Sequence, residues 1–195
     1  MAEPDHADRD DADAKAWFYL DHREDIEAWK ALRPLGRELL DNFMVREVAE
    51  IDEWADELSA VVESESLESG SIPRVGLRRA AWQSAGLAGL SVVVEWERAR
   101  LLTPGSNEWP YVAVRWPADL SGDDRRRQLS EALKPVRAQL AGQSSRNFPY
   151  WRYVKPLSGR PLDPEALARE AVQNLRTLWD VATPVLDGLR LEPRD

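Results

Sequence analysis

Three runs of alternating side chains between Pro73 and Trp116 constrain the fold more than any other part of this chain. They read Pro-Arg-Val-Gly-Leu-Arg-Arg, Leu-Ser-Val-Val-Val-Glu-Trp-Glu-Arg and Tyr-Val-Ala-Val-Arg-Trp, joined by Gly- and Pro-bearing connections. β-Branched and aromatic residues at every second position, bounded by turn signals, predict strands, and three in succession predict an antiparallel meander. In the first run Val75 and Leu77 oppose Arg74, Gly76 and Arg78. In the second, Leu90, Val92, Val94 and Trp96 oppose Ser91, Val93, Glu95 and Glu97. In the third, Val112, Val114 and Trp116 oppose Tyr111, Ala113 and Arg115. One face of such a sheet is wholly apolar and needs a covering layer; the other is mixed.

Helical sequence lies on both sides of the meander. Asp21 and Glu24 have the form of a capping box, and Ile26, Trp29 and Leu32 follow at helical spacing. Pro34 ends or kinks that helix. The period then resumes through Leu39, Leu40, Phe43, Met44, Val48, Ile51, Trp54, Leu58, Val61 and Val62, as one long helix or two stacked ones. Residues 63–72 are polar and read as a loop. Beyond the meander, Ser121 and Asp124 form another capping signature, and Leu129, Leu133, Val136 and Leu140 mark a helix closed by Gly142. Phe148 to Val154 reads as a fourth, edge strand. Asp163-Pro164 starts a last helix carrying Leu167, Ala171, Leu175, Leu178, Trp179 and Ala182, which Thr183-Pro184 kinks or restarts before Gly188. The expected fold is α+β, in the order α-α-β-β-β-α-β-α. A three- to four-stranded antiparallel sheet carries helices on one face, in a single domain over residues 15–191.

Residues 1–14 are acidic and Ala-rich without apolar period, so a disordered tail is expected there. Trp17, Phe18, Tyr19 and Leu20 then form an apolar cluster expected to tether the chain to the body. Of the formal charge of −9, residues 1–13 carry −5, which leaves a balance typical of soluble domains and no basic surface for general nucleic-acid binding. Cysteine is absent, so thiolate chemistry, disulfides and cysteine-ligated metals are excluded. No apolar run reaches bilayer-spanning length and the N-terminus is acidic, so a cytoplasmic protein without membrane association is expected.

Catalytic constellations are scarce. His22 is the only histidine outside the acidic stretch, which rules out a histidine-based metal cluster, and no phosphate-binding glycine motif is present. No cofactor is implied. One polar constellation stands out: Arg78, Glu95, Glu97 and Arg115 project from the mixed face, and Arg152 joins them if the fourth strand pairs with matching parity. It is either a cross-strand charge ladder or a shallow site for an anion or a divalent cation. Tryptophan is the second anomaly, with nine against seven Phe and Tyr together. Trp29, Trp54, Trp96, Trp116 and Trp179 fall on expected core faces. Trp82, Trp109 and Trp151 fall at loops and edges, as candidates for a partner-binding surface.

The α-β-β-β-α-β part of this order resembles the PD-(D/E)XK nuclease core, whose acids lie on the second and third strands. Here the second strand offers Glu95-Trp96-Glu97-Arg98, with arginine where the family has lysine, and the third offers no acid. The resemblance implies a nuclease scaffold that has lost its activity. Two functional expectations follow. One is a non-enzymatic adaptor, chaperone-like or inhibitor-like module that binds a protein; the other is a nuclease-like scaffold with a metal or phosphate site on the polar sheet face.

Overall fold

The computed structural model describes residues 6–105, 107–116, 123–157 and 159–190. The chain divides into two compact units, one up to Gly36 and one from Arg37 onward.

The first unit holds α1 (His6–Asp21), α2 (Arg23–Ala31) and the opening turn of α3 (Arg33–Glu47). Residues 1–5 of the acidic stretch lie outside the described residues, but from His6 onward the chain is helical where a disordered tail was expected. The physical reason is composition: Ala7, Ala12, Ala14 and Ala16 are the strongest helix formers. The break between α1 and α2 falls at His22, which caps α2 without a side-chain hydrogen bond, so the expected Asp21 capping box does not form. Pro34 sits in the first turn of α3, where its missing N–H leaves no hydrogen bond unmade.

The second unit is α+β. After α3 come α4 (Glu50–Ala55), β1 (Val61–Glu65), β2 (Arg74–Arg78), α5 (Ala81–Ser84), β3 (Ser91–Glu95) and β4 (Tyr111–Arg115). α6 (Asp123–Ala132), α7 (Lys134–Gln139), β5 (Tyr150–Tyr153) and α8 (Pro164–Asp187) complete it. The sheet has five strands in the order β1-β2-β3-β4-β5, every neighbouring pair antiparallel. β1 is the strand the sequence did not announce. The helical period that runs through Leu58, Val61 and Val62 is broken at Ser59, which takes a left-handed φ of 50°, and the chain turns out into an edge strand. α5 is likewise new, within the expected connection between β2 and β3.

The expected alternation fixes the core. Val75, Leu77, Leu90, Val92, Val94, Trp96, Val112 and Val114 are buried on one face with Tyr150 of β5. α8 covers them with a stripe that includes Leu167, Ala171, Leu175, Leu178, Trp179 and Ala182. Asp163 caps α8 by accepting from the Ala166 N–H at 3.0 Å. The helix runs past Pro184 to Asp187, so the expected kink or restart does not divide it. Pro135 does divide its segment. α6 ends at Ala132 and Pro135 lies in the first turn of α7, which again suits its missing donor. Ser121, the expected cap before α6, lies outside the described residues.

Candidate functional site

The second face of the sheet is where the polar constellation falls. Every buried helical residue of the second unit that joins an apolar cluster belongs to the cluster on the first face. The small cluster on this face is built only from Val93, Tyr111 and Ala113, with Phe148, Trp151 and Tyr153 against them. Strand register orders the side chains into rows. Glu65, Arg74, Glu95, Tyr111 and Tyr153 are successive cross-strand partners, and so are Glu63, Gly76, Val93, Ala113 and Trp151. The second row is small at its centre and forms the floor of a trough. A Cβ on Gly76 would stand 2.7 Å from Val93 Cγ1 and 3.1 Å from the Val92 carbonyl oxygen, so only glycine leaves the trough open.

Glu95 is the centre of the polar row. Its side chain is buried; Oε1 accepts from the Tyr111 hydroxyl, and Oε2 faces Arg74 Nη1 at 3.4 Å. Arg74 also pairs with Glu65 at the sheet edge. Burial, and after it the negative charge of Glu95, pushes the Tyr111 phenol well above its ordinary range, and burial raises Tyr150 on the opposite face. In both cases the folded protein holds the phenolic proton more tightly than the unfolded chain does. Their contribution is therefore fully present below about pH 10 and is lost as pH rises above it. Urea midpoints measured from about pH 9 to 11 are expected to fall, and Tyr111→Phe is expected to flatten that fall.

The sequence-derived cluster is partly assembled. Glu95 and Arg115 line one depression of about 380 Å³ together with Arg74, Trp116, Arg126, Arg146, Asn147 and Phe148. Arg78 shares the face but pairs with Glu63. Glu97 lies beyond the end of β3 and accepts from Asn107 Nδ2 at 2.9 Å, which ties Asn107 to the end of that strand. Arg152 does not join. It pairs in register with Val112, so it points to the helical face, where it donates to the Leu140 carbonyl and to Asn174. Arg98, at the nuclease-lysine position, is occupied by Asp41 Oδ2 at 2.8 Å and by the carbonyls of Ser66, Leu67 and Gly70. Among the described residues no group of three or more His, Cys, Asp or Glu could hold a metal ion. Arg74 and Tyr111 were missed as members. Their parity was legible, but the register that sets them beside Glu95 depends on turn geometry.

The tryptophans sort differently from the expectation. Trp82 is buried in α5, stacks against Trp179 at 5.5 Å and donates to Asp187 Oδ1 at 2.7 Å, so it presents no surface. Trp109 is half-buried against the main core and donates to Glu108. Trp151 lies on the trough face, packed edge-on against Tyr153. The exposed tryptophans are instead in the first unit: Trp17 is 68% exposed and Trp29 66%. Phe18, Leu20, Leu32 and Leu35 are exposed with them, and none of residues 11–36 is buried. Tyr19 donates to Glu27 Oε1 at 2.9 Å and so links α1 to α2. The hydrogen bond from Lys30 and then that from Tyr19 hold the Glu27 carboxyl below its usual value. Trp29, expected on a core face, and Trp17–Leu20, expected as a tether, are instead exposed, and α2 buries none of its described residues.

Among the described residues no helix is long and apolar enough to cross a membrane. Compared with protein-family models, with curated proteins and with solved structures, the chain finds no match in any of the three.

Proposed function

We propose that the protein is a non-enzymatic protein-interaction module that docks through its N-terminal helical unit into an apolar, basic-rimmed groove of a partner protein. The observation that carries this is the exposed set of Trp17, Phe18, Leu20, Trp29, Leu32 and Leu35 in a unit with no buried residue from 11 to 36. Helices of this length are marginal in water without tertiary packing. Burying six such side chains gives on the order of 10 kcal/mol of gross stabilisation, the scale needed to offset the cost of association. Charge selects the occupant. Residues 6–36 carry eight acids and five bases, so a second copy would bring like charge and a basic partner the opposite. Amphipathic helices docked in grooves use anchors three or four residues apart, the spacing of Ile26 and Trp29 on α2.

A photo-crosslinking residue in place of Trp29 in the full-length chain tests this. The expected adduct maps to an apolar surface rimmed by Lys or Arg, and its formation weakens with salt. The double variant Trp17→Ala, Trp29→Ala should weaken binding of that partner about a hundredfold. Adducts only between copies of this chain, with a sedimentation mass that halves in the double variant, would assign the surface to self-association. Partner binding indifferent to the double variant would overturn the proposal.

A further inference from the structure

The depression beside Glu95 is lined almost wholly by hydrogen-bond donors. Arg74, Arg115, Arg126 and Arg146 converge on it, against one carboxylate. That carboxylate is already occupied by Tyr111 and Arg74. Arg115 is half-buried and makes no hydrogen bond or ion pair among the described residues, and exposed Arg146 makes none either. A guanidinium withdrawn partly from water without an anion beside it is unusual, since its charge favours a partner. Trp116 lines the same depression, and its buried indole N–H has no acceptor among the described residues. The chain as a whole is acidic, which makes this local reversal of sign more telling.

We infer that this depression is a binding site for a small phosphomonoester. A phosphate offers three terminal oxygens and two charges, matching several guanidinium forks where a carboxylate would leave donors unmet. Phe148 supplies an apolar ring for the esterified group, and about 380 Å³ falls in the range of small-molecule sites. Asn147 adds an amide at the rim. The site is on the sheet of the second unit and does not depend on how the N-terminal helices are used.

The test is an NMR titration of the full-length, ¹⁵N-labelled chain, reading the Trp116 indole and the arginine Nε–H signals. Phenyl phosphate should shift the Trp116 and Arg115 signals saturably, and inorganic phosphate should do so more weakly. The double variant Arg115→Gln, Arg146→Gln should bind phenyl phosphate about a hundredfold more weakly, at about tenfold for each charged donor removed. Neither arginine has a partner among the described residues, so the rest of the spectrum should be unchanged. Arg78→Gln, on the same face but paired with Glu63, should bind as the wild type does. Shifts that grow without saturating, acetate binding as tightly as phosphate, or equal affinity in the double variant would each overturn the inference. The wild-type indole signal decides even if the variant were to misfold.

Discussion

Replacing Trp96 by alanine should lower the unfolding free energy by about 4–5 kcal/mol and the melting temperature by about 10–15 °C. Trp96 is fully buried in the main cluster at the end of β3. Its indole donates to Asp41 Oδ1 at 2.6 Å, while Asp41 Oδ2 accepts from Arg98 at 2.8 Å. Arg98 in turn holds the carbonyls of the 66–70 loop. The substitution therefore opens a cavity and removes one of the two donors that fix Asp41. Trp96→Phe separates the terms: it keeps most of the apolar volume and loses the hydrogen bond, for about 1–2 kcal/mol. Urea unfolding of both variants checks this. A loss under about 2 kcal/mol for the alanine variant would mean that the core collapses around the gap and that Trp96 is not its keystone.

The contrast between β3 and β1 shows what a sequence of this kind reveals about its fold. Val92, Val94 and Trp96 alternate with Val93 and Glu95 because one face meets α8 and the other the trough, and that demand is written in every second residue. β1 is an edge strand with little burial, so Val-Val-Glu-Ser-Glu carries no such demand. The helical period before it masks the break, which depends on one serine in a left-handed conformation. The five-stranded antiparallel sheet thus exceeds the expected three or four strands by the one strand that packing does not mark.

The candidate site was legible to the extent that parity defines it. Glu95 and Arg115 share a face because both lie on the polar side of alternating strands. Arg152 fell on the wrong side because a short aromatic strand has apolar residues at both parities, and only the pairing of Tyr111 with Tyr153 decides which face it takes. Arg146 comes from the segment before β5, where no periodicity exists to place it. Trp17 and Trp29 failed for the opposite reason. Helical spacing marks an apolar stripe without saying whether the surface that buries it belongs to the same chain.

Gly142→Ala is expected to cost about 3 kcal/mol, at the upper end for adding one methyl group to a packed site. A Cβ at this position would stand 2.1 Å from Tyr150 Cε2, and 2.7 Å from both Cδ2 and Cζ. Neither side can yield. The Tyr150 ring is fully buried on the core face of β5. The Gly142 backbone is held by its own bond to the Arg137 carbonyl, and the next residue, Gln143, exchanges two hydrogen bonds with Trp151 at 2.9 Å. The Tyr150 hydroxyl itself is buried without a partner among the described residues, so Tyr150→Phe alone should be neutral or slightly stabilising. The clash is with the ring, and that makes a sharper test possible. Combined with Tyr150→Leu, which removes the atoms in the way, Gly142→Ala should cost about 1–2 kcal/mol less than the sum of the two single changes. Strict additivity in that cycle would show that strain in the 140–143 backbone, and not contact with the ring, is what demands glycine.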